Sequence, residues 1–158
     1  MTLVRSLRGA AAIAAASILL SACQTLGLGG ASLVASTVTA ELTPASVAAI
    51  AGDMVEQLKG HIGAGANMIR LRGDGSAFGV ALEESLRSAG YAVVADKAIG
   101  GGTGIELAYV VDEFEGSVLV RLSTASLDLT RIYRVDGSTA VPASPVSVMR
   151  RGDVTGAA

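Results

Sequence analysis

Ile105-Glu106-Leu107-Ala108-Tyr109-Val110-Val111-Asp112 is the stretch that decides the fold. Ile105, Leu107, Tyr109 and Val111 occupy every second position, with Glu106, Ala108, Val110 and Asp112 between them. A period of two sends the two sets to opposite faces of a strand, so one face is buried. Downstream, Ser117 to Thr124 and Ser126 to Val135 are further strand candidates. Breaks at Glu115-Gly116 and at Ser123-Thr124-Ala125 make the three an antiparallel meander. The alternation slips near Thr130 to Ile132, where a bulge would restore the register. Pro142 and Pro145 punctuate a last short strand, Val146 to Met149, and residues 151–158 form a frayed tail of small and polar residues.

Upstream of the glycine-rich loop 100–104 the period changes. Thr43-Pro44 offers an N-cap followed by a proline suited to the first helical position. Val47, Ile50, Ala51, Met54, Val55 and Leu58 then recur at helical spacing, and Gly60 is placed to end that helix. Asn67 to Arg72 reads as a short strand and Gly73-Asp74-Gly75 as a turn. A second helix runs from about Ser76 to Ala89, with Phe78, Leu82, Leu86 and Ala89 on its buried face. Gly90 stops it, and Tyr91 to Ala95 is a strand. The expectation is an α+β fold, two helices packed on one face of a mostly antiparallel sheet.

The N-terminus reads as an export signal. Arg5 and Arg8 precede an apolar run from Gly9 to Leu20, and no acidic residue occurs before Glu41. A run of twelve residues is too short to cross a bilayer, which takes about 20. Small residues then lead to Cys23, the one cysteine. Residues 24–42 are rich in Gly, Ala, Ser, Thr and Leu and read as a tether, reaching about 20–25 Å if flexible. Leu33 to Val38 could also pair as a strand, and both readings hold together if a partner supplies the pairing edge. The expected organisation is a signal over 1–22, a tether over 23–42, a globular domain over 43–150 and a tail over 151–158.

Composition narrows the function. The formal charge of −2 becomes −4 once Arg5 and Arg8 are removed, so a basic footprint for nucleic acid is absent. Phe78, Tyr91, Tyr109, Phe114 and Tyr133 are the only aromatic residues. The core must therefore draw on Val, Leu, Ile, Ala and Met. His61, the only histidine, follows Gly60 and reads as a solvated loop residue. No Gly-x-Ser-x-Gly elbow frames a nucleophile, and no His/Cys pair has ligand spacing. The glycine run at 100–104 lacks the Lys-Ser/Thr of a phosphate cradle and leads into a strand. Arg72-Gly73-Asp74 and Arg151-Gly152-Asp153 read as turns. No enzyme, cofactor or metal is expected.

Two features point to a partner instead. Asp112-Glu113-Phe114-Glu115-Gly116 sets a phenylalanine between acids at a hairpin tip, where it either folds back on the sheet or projects outward. Glu113, Phe114 and Glu115 are thus candidate contact residues. Arg131, Arg134, Arg150 and Arg151 gather positive charge near the C-terminus. They are either solvated strand faces or, through Arg131 and Arg134, complementary to an acidic neighbour.

Leu20-Ser21-Ala22-Cys23 resembles the bacterial lipobox. That resemblance implies a diacylglyceryl group on the Cys23 thiol, cleavage before Cys23 and acylation of the new amino group. Two or three chains make a stable anchor where one is marginal. An acylated Cys23 leaves no disulfide within the chain. Gln24, in place of the Asp that retains such proteins at the inner membrane, implies the outer membrane. Cys23-Gln24-Thr25-Leu26-Gly27, the chain length and the helix–strand unit Phe78 to Val94 also resemble the TrbH conjugal transfer lipoproteins. That family implies an outer-membrane, periplasm-facing lipoprotein of a type IV secretion core complex. Its partners would be the membrane, through lipid, and other core-complex proteins in a multimeric ring. The α+β order is similar to N0-like ring-building domains, by fold analogy alone. The alternative role is an assembly factor for other outer-membrane components.

Overall fold

The computed structural model describes residues 35–64, 67–95 and 104–151. The signal, Cys23, most of the tether, Gly100 to Thr103 and the tail from Gly152 lie outside the described residues. In chain order the elements are β1 (Thr37–Val38), α1 (Pro44–Ile62), β2 (Met68–Leu71), α2 (Ala77–Ser88), β3 (Ala92–Ala95), β4 (Ile105–Phe114), β5 (Ser117–Ser123), β6 (Leu127–Asp136), β7 (Thr139–Pro142) and β8 (Ser147–Arg150). The strands form one sheet in the order β3-β2-β4-β5-β6-β7, with β1 on β4 and β8 on β6. The α+β class holds: among the described residues there are two helices and a mostly antiparallel sheet.

Both helices begin as their capping residues dictate. The Thr43 hydroxyl accepts from Ser46 N at 3.3 Å, and Pro44 opens α1 without leaving a donor unpaired. The Ser76 hydroxyl accepts from Gly79 N at 3.1 Å and opens α2. α1 runs through Gly60 and ends at Gly63, whose φ of 82° suits glycine and whose N–H bonds Lys59 O at 3.1 Å. The expected stop at Gly60 is corrected by three residues, and His61 lies in the last helical turn rather than in a loop. β2, α2 and β3 form a parallel βαβ crossover, and β4 joins β2 on the other side, also parallel.

From β4 onward the strands reverse. The β4–β5 loop is Glu115-Gly116, with φ of 48° and 72°. Positive values at both central residues are those of a type I′ hairpin, whose twist matches that of the flanking strands. The β5–β6 register is unbroken from Val118↔Tyr133 to Ser123↔Asp128, so the expected bulge near Thr130 to Ile132 is absent. What looked like a slip is a charged residue at a core-facing position. Leu127, Leu129, Arg131, Tyr133 and Val135 all point toward the helices. Arg131 satisfies its charge there on Asp53 of α1, Nη1 lying 3.0 and 2.8 Å from the two carboxylate oxygens.

Two edges are each shared by two short strands. β2 holds the first part of β4, and β1 holds a later part of the same edge through Thr37↔Val110 and Val38↔Val111. Ser36 Oγ accepts from Tyr109 N at 3.1 Å, and Thr39 N donates to Val111 O at 2.9 Å. The folded part thus reaches back to Ser36, ahead of the expected start at Thr43, because β2 is too short to cover β4. Likewise β8 takes the first half of β6 and β7 the second. Ser144 fills the handover, its hydroxyl accepting from Ile132 N at 3.0 Å.

The core lies between the helices and one sheet face. Ile50, Met54 and Leu58 of α1 meet Phe78, Leu82 and Leu86 of α2 over Ile69, Leu71, Leu107, Tyr109, Val120, Leu122 and Tyr133. Each such aliphatic side chain contributes about 1.5–3 kcal/mol on burial. Four of the five aromatic residues are in this core, and only Phe114 is exposed.

All three tyrosines bury a bonded hydroxyl: Tyr91 donates to Gly63 O, Tyr109 to Asp74 and Tyr133 to Asp53. Burial raises each tyrosine above its ordinary value, and next in order come the Glu56 charge for Tyr91 and the Asp74 and Asp53 hydrogen bonds for Tyr109 and Tyr133. An unfolded tyrosine ionises near pH 10, roughly. A raised folded value means that this stabilisation is complete below that pH and lost as pH rises through the folded values. Tyrosinate absorbance should therefore appear together with loss of circular dichroism in alkali. Ionisation at the ordinary pH with the fold intact would contradict this.

Candidate docking surface

The polar networks of the core tie Asp53, Asp74 and Asp128 into the fold. Asp53 is bound by Arg131 and Tyr133, and Asp128 by Arg151 at 2.8 and 2.6 Å. Asp74 accepts from Tyr109 and from Ser76 N at 2.9 Å. Burial pushes the Asp74 carboxyl up, but the bonds from Ser76 and Tyr109 outweigh it and leave the group below the usual carboxylate range. Asp74 of Arg72-Gly73-Asp74 thus has a structural post. Among the described residues no group of three His, Cys, Asp or Glu side chains could hold a metal. A cleft of about 150 Å³ opens where β2 and β3 end beside α2, lined by Leu71, Gly73, Gly79, Val80 and Ala95. Its one ionisable lining residue, Glu83, is paired with Arg87.

The helices cover one sheet face, α1 over β6 and β7 and α2 over β3. Strand alternation assigns the other face to Asp112, Phe114, Leu119, Arg121, Ile132, Arg134 and Val141. Pairing places Leu119 opposite both Asp112 and Ile132, and Arg134 opposite Val141. Phe114 and Val141 are each 45% exposed, while Leu119 and Ile132 are half-buried. Phe114 ends β4 on the open face, and Glu113 and Glu115 beside it are exposed.

The arginines separate. Arg131 is turned inward and Arg134 outward, so the two do not share a surface. Arg150 is exposed on β8, and Arg151 reaches back over the open face to Asp128 and Thr124 O. Gly152 and Asp153 of the second Arg-Gly-Asp lie outside the described residues. Arg121 was missed by the sequence reading. Its signal was there, since Leu119 and Arg121 alternate with buried Val118, Val120 and Leu122.

Among the described residues no helix is long and apolar enough to cross a membrane. A family model described as conjugal transfer protein TrbH matches residues 28–152. A protein named probable conjugal transfer protein TrbH, from Sinorhizobium fredii (strain NBRC 101917 / NGR234), is 43% identical over 139 residues, covering 84% of this chain and 91% of its own. No solved structure matches the chain.

Proposed function

Because the chain belongs to the TrbH family of conjugal transfer proteins, whose role is in conjugation by type IV secretion, we propose that it is a lipid-anchored docking subunit of the mating-pair-formation core complex. In this reading Cys23 carries the lipid, Gln24 directs the protein to the outer membrane, and the domain faces the periplasm. The observation that carries the anchor is Leu20-Ser21-Ala22-Cys23 at the end of a twelve-residue apolar run. The sheet face that the described helices leave uncovered supports the docking role, for it sets the one exposed aromatic residue beside half-buried aliphatic ones. Holding that face at a membrane raises its effective concentration for other subunits of a ring. No catalytic step enters, and the covalent lipid is the only added group.

Cys23→Ser tests the anchor. The variant should accumulate as uncleaved or soluble precursor, fail to take up labelled fatty acid and lower transfer frequency sharply. Undiminished labelling of the variant would remove Cys23 from the role.

A further inference from the structure

The open face carries a charge pattern as well as an apolar one. Leu119 and Ile132 pair across β5 and β6 at its centre. Arg121 lies two residues beyond Leu119 on one side, and Arg134 two residues beyond Ile132 on the other. Phe114 and Val141 flank the ladder. Both arginines are exposed, and neither guanidinium has an ion-pair partner among the described residues. From strand spacings their Cα atoms lie about 14 Å apart.

We propose, resting on the docking role above, that this face receives an amphipathic α-helix of a partner protein. The helix lays an apolar stripe on Leu119, Ile132, Phe114 and Val141 and carries acidic residues two to three turns apart that meet Arg121 and Arg134. A helix rises about 1.5 Å per residue, so a separation of two to three turns matches that of the cations. Two guanidiniums in water contribute little, but a partner that covers them must supply carboxylates or leave them unpaired. That requirement sets the chemistry of the occupant.

Two other occupants fit the face less well. An anionic lipid surface responds to net charge, and Asp112 and Asp136 on the same face offset the two arginines. A second copy packed across the Leu119–Ile132 ladder, with its two-fold along or across the strands, would bring guanidinium within about one strand spacing of guanidinium. Such like-charge juxtaposition opposes pairing.

The test uses the full chain in mating cells, with a photo-crosslinking residue in place of Leu119 or Ile132. The expected result is an adduct whose attached peptide, mapped by mass spectrometry, is an amphipathic helical segment with acidic residues at that spacing. Arg121→Glu with Arg134→Glu should lower the adduct about tenfold, while Arg121→Lys with Arg134→Lys retains most of it. Both residues are exposed, so melting should be unchanged in either pair. No adduct, or an adduct to lipid, to a second copy or to a basic segment, would overturn the proposal. Anchoring is read separately by fractionation of the Cys23→Ser variant, so a wrong surface is distinguishable from a wrong function.

Discussion

Asp53→Ala should destabilise the domain by about 3 kcal/mol, a large part of the 5–15 kcal/mol typical of a whole domain. The Arg131 side chain is only 17% exposed and that of Asp53 28%. Removing the carboxylate leaves a guanidinium in a poorly hydrated place and takes the acceptor from the Tyr133 hydroxyl. Breaking a buried pair costs about 3–5 kcal/mol, and the partial exposure here favours the lower end. A surface pair would contribute about 0–1 kcal/mol, so urea midpoints separate the two cases. Asp53→Ala with Arg131→Met should recover much of the loss, because the stranded charge is gone and an apolar chain faces α1. A loss below about 0.5 kcal/mol in Asp53→Ala would show the pair to be no more than a surface contact.

This pair also marks the limit of what the sequence makes legible. The caps at Thr43 and Ser76, the two helical stripes and the alternation of β4 could be read directly, because each is a local pattern. Arg131 could not. A charge at a core-facing position is indistinguishable from a register slip until its partner, distant in the chain, is placed beside it. The same long range hides how β1 completes the edge that β2 leaves short, and how β7 and β8 divide one side of β6. β7 did have a local sign in Asp136-Gly137, a dipeptide that favours a hairpin turn, but the prolines beyond it obscured the strand. At the surface, Glu113, Phe114 and Glu115 stood out as a hairpin tip. The centre of the open face did not, because Leu119 and Ile132 read as ordinary strand residues until the sheet assigns them to the side without helices.

Gly79→Ala should also lower stability, against the usual expectation for a helix. Alanine is favoured over glycine in a helix interior by about 1 kcal/mol. Here a Cβ would overlap the Tyr109 hydroxyl and lie 3.2 Å from the ring carbon that bears it. Tyr109 cannot retreat: it is fully buried, and its ring is tilted against Phe78 at a centroid distance of 5.3 Å. Its oxygen also ties together the start of α2, donating to Asp74, accepting from Asp74 N at 3.3 Å and lying 3.4 Å from Ser76 Oγ. Moving the ring gives up those bonds, and moving the helix gives up the Ser76 cap. Overpacking of this kind costs about 1–3 kcal/mol, and a lost cap or hydrogen bond adds about 1 kcal/mol, so the net loss should be about 2 kcal/mol. Tyr109→Phe removes the offending oxygen. The double variant Gly79→Ala with Tyr109→Phe should therefore be more stable than the sum of the single changes allows, by about 1 kcal/mol or more. Additive effects would show that the hydroxyl does not set the requirement for glycine, and a raised urea midpoint in Gly79→Ala alone would show that the helix start has room to move.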